Sequence, residues 1–331
     1  MARAQRNDAR PDDGYIPLLD RFKRWWRSDG AAVDGIALVE RGSKSGANTD
    51  HKAITVDPAD DKADAGQWTD ARVAFCRRLW ATSEEDDEMV EPGGADYCNT
   101  LLTPAAVNSS KSAIDLSAGL GGGVRYLVGA LGLWVTAADP DPELVKRAQQ
   151  ISVQRGLGKR APIAVYDPDK LTLPANKYHA ALLRERLYRM HDKQHVLNTI
   201  RQSLKPKGSL ILTDFALAND AAGASELVTA WTAKLPQPAA LWTMDAYREA
   251  IESTGMEIRI LDGTFTDYRA MILDGWSRLI DGLTREDLTR EFVDIMIREA
   301  DYWLRLERAL GSGDLVYLHC HATVSGPAVT R

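Results

Sequence analysis

Apolar positions recur along the chain in two rhythms. Over Asp70–Trp80, Val73, Ala74, Phe75, Leu79 and Trp80 fall at helical spacing, and a second helix runs through Tyr97, Leu101 and Leu102 after the breaker Pro92-Gly93-Gly94. Short apolar runs then alternate with helical ones. Ala113–Leu116 reads as a strand, Val124–Leu133 as a helix, Leu133–Ala138 as a strand, Pro142–Ala148 as a helix with proline in its first turn, and Pro162–Tyr166 as a strand. Further on come a helix over Trp242–Ser253, a strand over Met256–Leu261, helices over Tyr268–Leu283 and Glu291–Leu310, and a last strand over Leu315–Val324. Strands alternating with helices imply an α/β protein built on a parallel sheet.

The N-terminal fifth follows another pattern. Residues 1–12 are polar and charged. Tyr15–Trp26 interleaves Ile16, Leu18, Leu19, Phe22, Trp25 and Trp26 with Arg21, Lys23, Arg24 and Arg27, an amphipathic basic helix suited to docking on the main domain or a second subunit, or to peripheral contact with anionic lipid. Residues 41–66, rich in Gly, Ser, Asp, Lys and Ala, read as a linker. The division expected is an extension over 1–67 and a main domain over 68–331, with a helical insertion near 264–312.

Charge and cysteine content narrow the classes. The 331 residues carry a net charge of −6, which argues against a general nucleic-acid binder. Cys76, Cys98 and Cys320 are odd in number and show no CxxC spacing, as expected for reduced thiols in a cytoplasm. Neither a signal peptide nor an apolar span of membrane length is visible. The 44% hydrophobic content suffices for a sizeable core.

The chemistry concentrates where the strands end. Ser117-Ala118-Gly119-Leu120-Gly121-Gly122-Gly123 follows the first strand directly and opens a helix, so its backbone can approach a ligand beside free N–H groups. Dinucleotide sites want glycines at the first, third and sixth positions; counted from Gly119, the sixth is Val124. Asp115 before the turn suits a cationic ligand instead, such as the amino and sulfonium groups of S-adenosyl-L-methionine. Asp139 ends the second strand about 20 residues on, where a carboxylate meets a ribose diol. Asp167 ends the third, placed to accept from an adenine amino group.

From these residues the chain resembles the class I S-adenosylmethionine-dependent methyltransferases. The resemblance rests on Asp115–Gly121, Asp139, Asp167, Leu173-Pro174 with Lys177–Leu183 as a fourth strand, Arg184–Asp192 after it, and Leu204–Asp214 as the fifth. It implies a Rossmann-like, mostly parallel sheet of seven strands whose last runs antiparallel, helices on both faces, and an N-terminal helical extension. It also implies S-adenosyl-L-methionine as cofactor: Asp115, Ser117, Ala118, Gly119 and Gly121 at the methionine end, Asp139 and Pro140 at the ribose, Asp167 and Pro168 at the adenine, and Arg184 beside them. The acceptor expected is a small or lipid-like molecule, with a homo- or hetero-oligomer allowed. The chain departs from the family pattern at Ser117 and Lys207, where glycine is usual, and at His179, where aspartate is usual. These departures keep a non-catalytic cofactor-binding partner subunit open as the alternative, and the glycine-rich turn leaves an NAD-dependent oxidoreductase as a further reading.

Methyl transfer needs alignment, exclusion of water and, for some acceptors, a proton acceptor. His191, then Asp214 and Tyr188, are the candidates near the carboxyl edge of the fourth and fifth strands. No metal site is expected, although His191 and His195 stand four apart, close enough to share a helix face. His319 and His321 share one face of the last strand, which is read as a sheet edge. Trp242, Tyr247, Tyr268 and Trp276 are either a cage for a cationic amine or packing aromatics. The helices over 68–108 are either a lid on the cofactor or a packing layer.

Overall fold

A computed structural model of the chain describes residues 67–82, 88–263 and 267–325. The amphipathic helix expected at 15–26 and the linker at 41–66 lie outside the described residues. Two helices come first, α1 (Asp70–Trp80) and α2 (Gly94–Leu102). The sheet then begins with β1 (Ser112–Asp115), α3 (Gly122–Leu131), β2 (Trp134–Asp139), α4 (Pro142–Gln154), β3 (Ile163–Val165) and β4 (Tyr178–Arg184). It continues through α5 (Lys193–Ser203), β5 (Leu204–Leu217), α6 (Glu226–Thr232), α7 (Met244–Ser253), β6 (Met256–Asp262), α8 (Asp267–Asp281), α9 (Arg290–Ser312) and β7 (Leu315–Val324).

The seven strands lie in the order β3-β2-β1-β4-β5-β7-β6. Pairs among β1 to β5 are parallel, and β7 runs antiparallel to both β5 and β6. The expected seven-stranded, mostly parallel sheet with an antiparallel last strand is therefore present. Strand order reverses beside β1, whose neighbours are β2 on one side and β4 on the other, and the carboxyl edge there is the crevice in which α/β sheets bind ligands. β7 sits inside the sheet between β5 and β6, not at its edge. Pairing on both sides explains its burial, and His319 and His321 are there at 8% and 7% exposure.

Helix ends follow local chemistry. Asp141 caps α4 by accepting from the N–H groups of Glu143 and Leu144, with Pro142 in the first turn. Asp192 caps α5 by accepting from His195 N–H. Because α5 starts only at Lys193, His191 precedes it, and the two histidines do not share a helix face.

One core lies between the sheet and α5 and α7, built on Leu183, Leu197, Ile200, Leu210, Leu212, Tyr247, Ile251 and Leu318, all almost fully buried. On the opposite side α9 packs against α1, α6, α8 and β7. There Trp80 meets Trp303 edge-on at 4.6 Å, and Phe75 meets Trp276 at 6.0 Å.

Two departures from family pattern have structural explanations. Lys207 adopts φ +62° in the turn inside β5, which accounts for the usual glycine there. His179 Nδ1 accepts the N–H of Ser112 at 3.0 Å, tying β4 to β1 as a carboxylate would. Burial, with Lys205 and Lys111 nearby, lowers its pKa and keeps the acceptor nitrogen unprotonated.

Candidate cofactor site

The glycine-rich turn carries the backbone from β1 into α3. Gly119 and Gly121 take φ values of +52° and +81°. A Cβ at Gly121 would stand 2.5 Å from Ile163 Cδ1 and 2.6 Å from Arg125 Nη1, so both side-chain ends would have to shift, and the positive φ itself favours glycine. Gly121 also caps α3 with no side-chain hydrogen bond, leaving the helix N-terminus without a competing cap.

Three charged groups converge on this turn. Asp115, 1% exposed at the end of β1, accepts from Ser117 N at 2.8 Å and from Ser117 Oγ at 2.7 Å. Ser117 Oγ in turn accepts from the N–H of Arg184 at 3.0 Å, so the serine hydroxyl joins β1 to β4. The Arg184 guanidinium donates from Nη2 to Ser117 O and lies 3.7 Å from Asp115 Oδ2, while Nη1 donates to Cys98 Sγ. Its Nε is buried with no hydrogen-bond partner among the described residues.

Asp139 stands at the end of β2, also 1% exposed. It accepts from Gly119 N at 2.9 Å, from Asp141 N at 3.0 Å, and from Arg186 Nη2 at 3.3 Å. Arg186 reaches past it to Glu91 at 2.7 Å. Burial alone would raise the Glu91 carboxyl; Arg186 in front of it holds it below the ordinary range. Tyr166, from the end of β3, donates to Leu116 O at 2.9 Å across the same edge. Pro140 follows Asp139 directly. Asp167 and Pro168 lie further out, with Asp167 exposed, accepting from Asp169 N and paired with Lys170 at 3.0 Å. Lys170 and the Asp169 N–H lower its pKa.

The segment before α2 covers the turn. A Cβ at Gly122 would meet Glu88 O at 2.8 Å. Glu88 pairs with the buried Arg125 at 2.5 Å and with Arg155 at 2.9 Å. Ion pairs from Glu88 and Glu91 thus tie this cover to α3, α4 and the end of β4.

The side chains of the three proton-acceptor candidates do not form one cluster, although the Tyr188 backbone N–H meets the Asp214 carboxylate. His191 is exposed ahead of α5. Tyr188 is fully buried against Phe215 and Trp231, and its hydroxyl accepts from Arg189 Nε. Asp214 follows the parity of Leu210, Leu212 and Ala216 onto the α5/α7 face, where Tyr247 donates to it at 2.8 Å. Burial pushes its carboxyl up to about 7 against the Tyr247 O–H and Phe215 N–H bonds. Lys193, buried beside it and held 4.9 Å from the Trp242 ring, is lowered by burial to about 8. The four aromatics considered as a cage divide likewise. Trp242 and Tyr247 pack together on the α7 side, whereas Tyr268 stacks on Tyr317 and Trp276 meets Phe75.

Glu185, Arg186, Glu91, Cys98 and Tyr166 were not singled out from sequence. The available signal was Arg184-Glu185-Arg186, three consecutive charges directly after an apolar strand.

The chain presents a pattern suited to S-adenosylmethionine. A buried carboxylate suits its ammonium and sulfonium, an orphaned guanidinium N–H suits its carboxylate, and the positive-φ glycines let its main body approach the backbone.

Comparison with known proteins agrees. A family profile described as a methyltransferase domain matches residues 94–259. The carboxy-S-adenosyl-L-methionine synthase of Erwinia tasmaniensis is 30% identical over 171 residues, 48% of this chain and 65% of that protein. The glycine/sarcosine/dimethylglycine N-methyltransferase of Actinopolyspora halophila is 29% identical over 149 residues, 45% of this chain and 26% of that protein. Phosphoethanolamine N-methyltransferase 2 of Haemonchus contortus, solved with S-adenosyl-L-methionine, shares the fold with a TM-score of 0.67 at 17% identity, over 83% of this chain and 61% of that one. The chain spans less than two thirds of the length of each of these relatives. Profile, strand order and site agree that the chain belongs to the class I S-adenosylmethionine-dependent methyltransferase family.

Proposed function

We propose that the protein transfers a methyl group from S-adenosylmethionine to a small-molecule acceptor. The observation that supports this most is Arg184, buried beside Asp115 with Nε unpartnered. A buried guanidinium N–H without a hydrogen-bond partner is costly unless an acceptor meets it, and the methionine carboxylate is such an acceptor. Asp115 holds the ammonium and the Gly119–Gly121 backbone lies along the methionine end. Asp139 takes the ribose. A carboxylate offers about four lone-pair sites, and Asp139 already uses three, so a ribose diol takes the remaining one and displaces Arg186. Asp167 and Pro168 border the adenine at the exposed rim. When bound, the cofactor supplies an activated methyl group; the protein supplies alignment and a dry site.

In this reading residues 1–67 form an extension, 68–331 the catalytic domain, and 264–312 an insertion beside the acceptor. Small amines are the acceptors to try first, because the Actinopolyspora and Haemonchus relatives are named for amine substrates. A second reading, a cofactor-binding partner without activity of its own, is favoured by one observation: Arg186 lies on the acid assigned to the ribose. Incubation with methyl-labelled S-adenosylmethionine and small amines separates the two. Label in an amine together with S-adenosylhomocysteine supports the enzyme; cofactor binding without transfer to any acceptor supports the partner.

A further inference from the structure

Glu185 is the residue least explained by cofactor binding. It sits between Arg184 and Arg186, and its carboxylate bonds to Thr213 and Tyr317. Its backbone takes φ +45°, a left-handed conformation uncommon for a residue with a Cβ, and its N–H donates to Thr213 O at 2.8 Å. That twist delivers the carboxylate to the carboxyl edge between β4 and β5. There Oε1 accepts from Thr213 Oγ1 at 2.8 Å and from the Tyr317 hydroxyl.

The surroundings are aromatic and phenolic. Tyr317 on β7 exchanges a 2.7 Å hydrogen bond with Tyr97 on α2, the helix over the cofactor turn. Tyr268 of α8 stacks on Tyr317 at 4.1 Å, and Phe215 of β5 lies 5.6 Å from both. A carboxylate ringed by tyrosine and phenylalanine is chemistry that recognises an ammonium group, by charge and by the negative ring faces. Charges around Glu185 are Arg184 and Arg186 beside it and Glu91 on the segment before α2, with Asp214 acting from the other face of β5; the phenols are Tyr97, Tyr268 and Tyr317.

Resting on the methyltransferase reading, we infer that Glu185 is the catalytic residue that takes the proton from an amine acceptor seated at the carboxyl edge of β4, with Thr213 and Tyr317 holding its carboxylate. The acceptor enters when α2 and Tyr97 part from Tyr317. An amine arriving as an ammonium gives a proton to Glu185, its lone pair then forms the bond to the methyl carbon, and the sulfur–methyl bond breaks with its electron pair left on sulfur. Burial supports the role, since it pushes the carboxyl up to about 7, with Glu91 adding to the rise and Arg184, Tyr317 and Thr213 opposing it.

The test uses the full chain, Glu185→Gln and Tyr317→Phe. Acceptors are glycine, sarcosine, ethanolamine and phosphoethanolamine, and S-adenosylhomocysteine binding is read by calorimetry. Expected in Glu185→Gln are unchanged S-adenosylhomocysteine affinity, a kcat lower by about 100-fold or more, and loss of the acid limb near pH 7. The infrared difference between wild type and Glu185→Gln should show a carboxyl band titrating near the same pH. In Tyr317→Phe, which loses a donor to the charged carboxylate, the acid limb should move to higher pH even if Glu185→Gln folds poorly. A Glu185→Gln enzyme with kcat within threefold of wild type, or an unmoved limb in Tyr317→Phe, overturns the assignment. So does failure to methylate any of the four amines when S-adenosylhomocysteine binds, which leaves the methyltransferase reading standing. Failure of S-adenosylhomocysteine to bind wild type overturns both.

Discussion

The main-chain N–H of Arg184 donates to the side-chain oxygen of Ser117 at 3.0 Å. That oxygen donates in turn to Asp115, so one hydroxyl replaces the flexibility of a glycine with a cross-strand tie. Ser117→Ala should leave the Arg184 N–H buried without its acceptor and lower stability by about 1–3 kcal/mol. Urea unfolding measures it, and a midpoint equal to wild type would show that the tie contributes nothing.

Asp139 should be the residue most damaging to cofactor affinity. Asp139→Ala removes a carboxylate that the ribose needs, and binding of S-adenosylhomocysteine should weaken by about 1.5–3 kcal/mol, the usual loss for charge-assisted hydrogen bonds. The substitution also removes one of the two ion pairs that Arg186 makes among the described residues, so a thermal melt should accompany the titration. Unchanged affinity in a folded variant would refute the ribose assignment.

Lys207 occupies a left-handed backbone position without the freedom of glycine. Lys207→Gly should raise stability by about 0.5–1 kcal/mol, the relief of left-handed strain being partly offset by the greater entropy of glycine in the unfolded chain. Lys207→Val should lower it, since a β-branched residue tolerates positive φ poorly. Two melting temperatures displaced in opposite directions check both expectations.

The buried Asp214 carboxyl has a folded pKa pushed up to about 7 from an ordinary value near 3.8. Between those values the folded state holds a proton that the unfolded state has lost. Its contribution to stability is therefore complete below about pH 4 and is lost as pH rises toward 7. Asp214→Asn should flatten this part of the pH–stability curve while Tyr247 keeps an acceptor. Urea midpoints at pH 4.5, 6 and 7.5 measure the slope, and an unaltered slope would show that the carboxyl is ionised in the fold.

The sheet was readable because each of its first three strands announces its end with an acid. Asp115 and Asp139 are buried where the first two strands end, and Asp167 is exposed after the third. The proton-acceptor candidates were harder because β5 is covered on both faces, so apolar alternation did not show which way Asp214 points. Thr213, one residue earlier, faces the Glu185 side instead. Glu185 was hidden for a different reason. Its placement depends on a left-handed backbone that its residue type does not advertise and on partners as distant in sequence as Tyr317. The interior position of β7 was likewise set by long-range pairing, with Ser209 to Leu217 matched against Leu315 to Thr323.

The central claim is that Asp115, Asp139 and Arg184 form a site for S-adenosylmethionine. Calorimetric titration of the full chain with S-adenosylhomocysteine tests it most directly. The account expects saturable one-to-one binding that weakens in Asp139→Ala; absence of binding to the wild-type chain would contradict it.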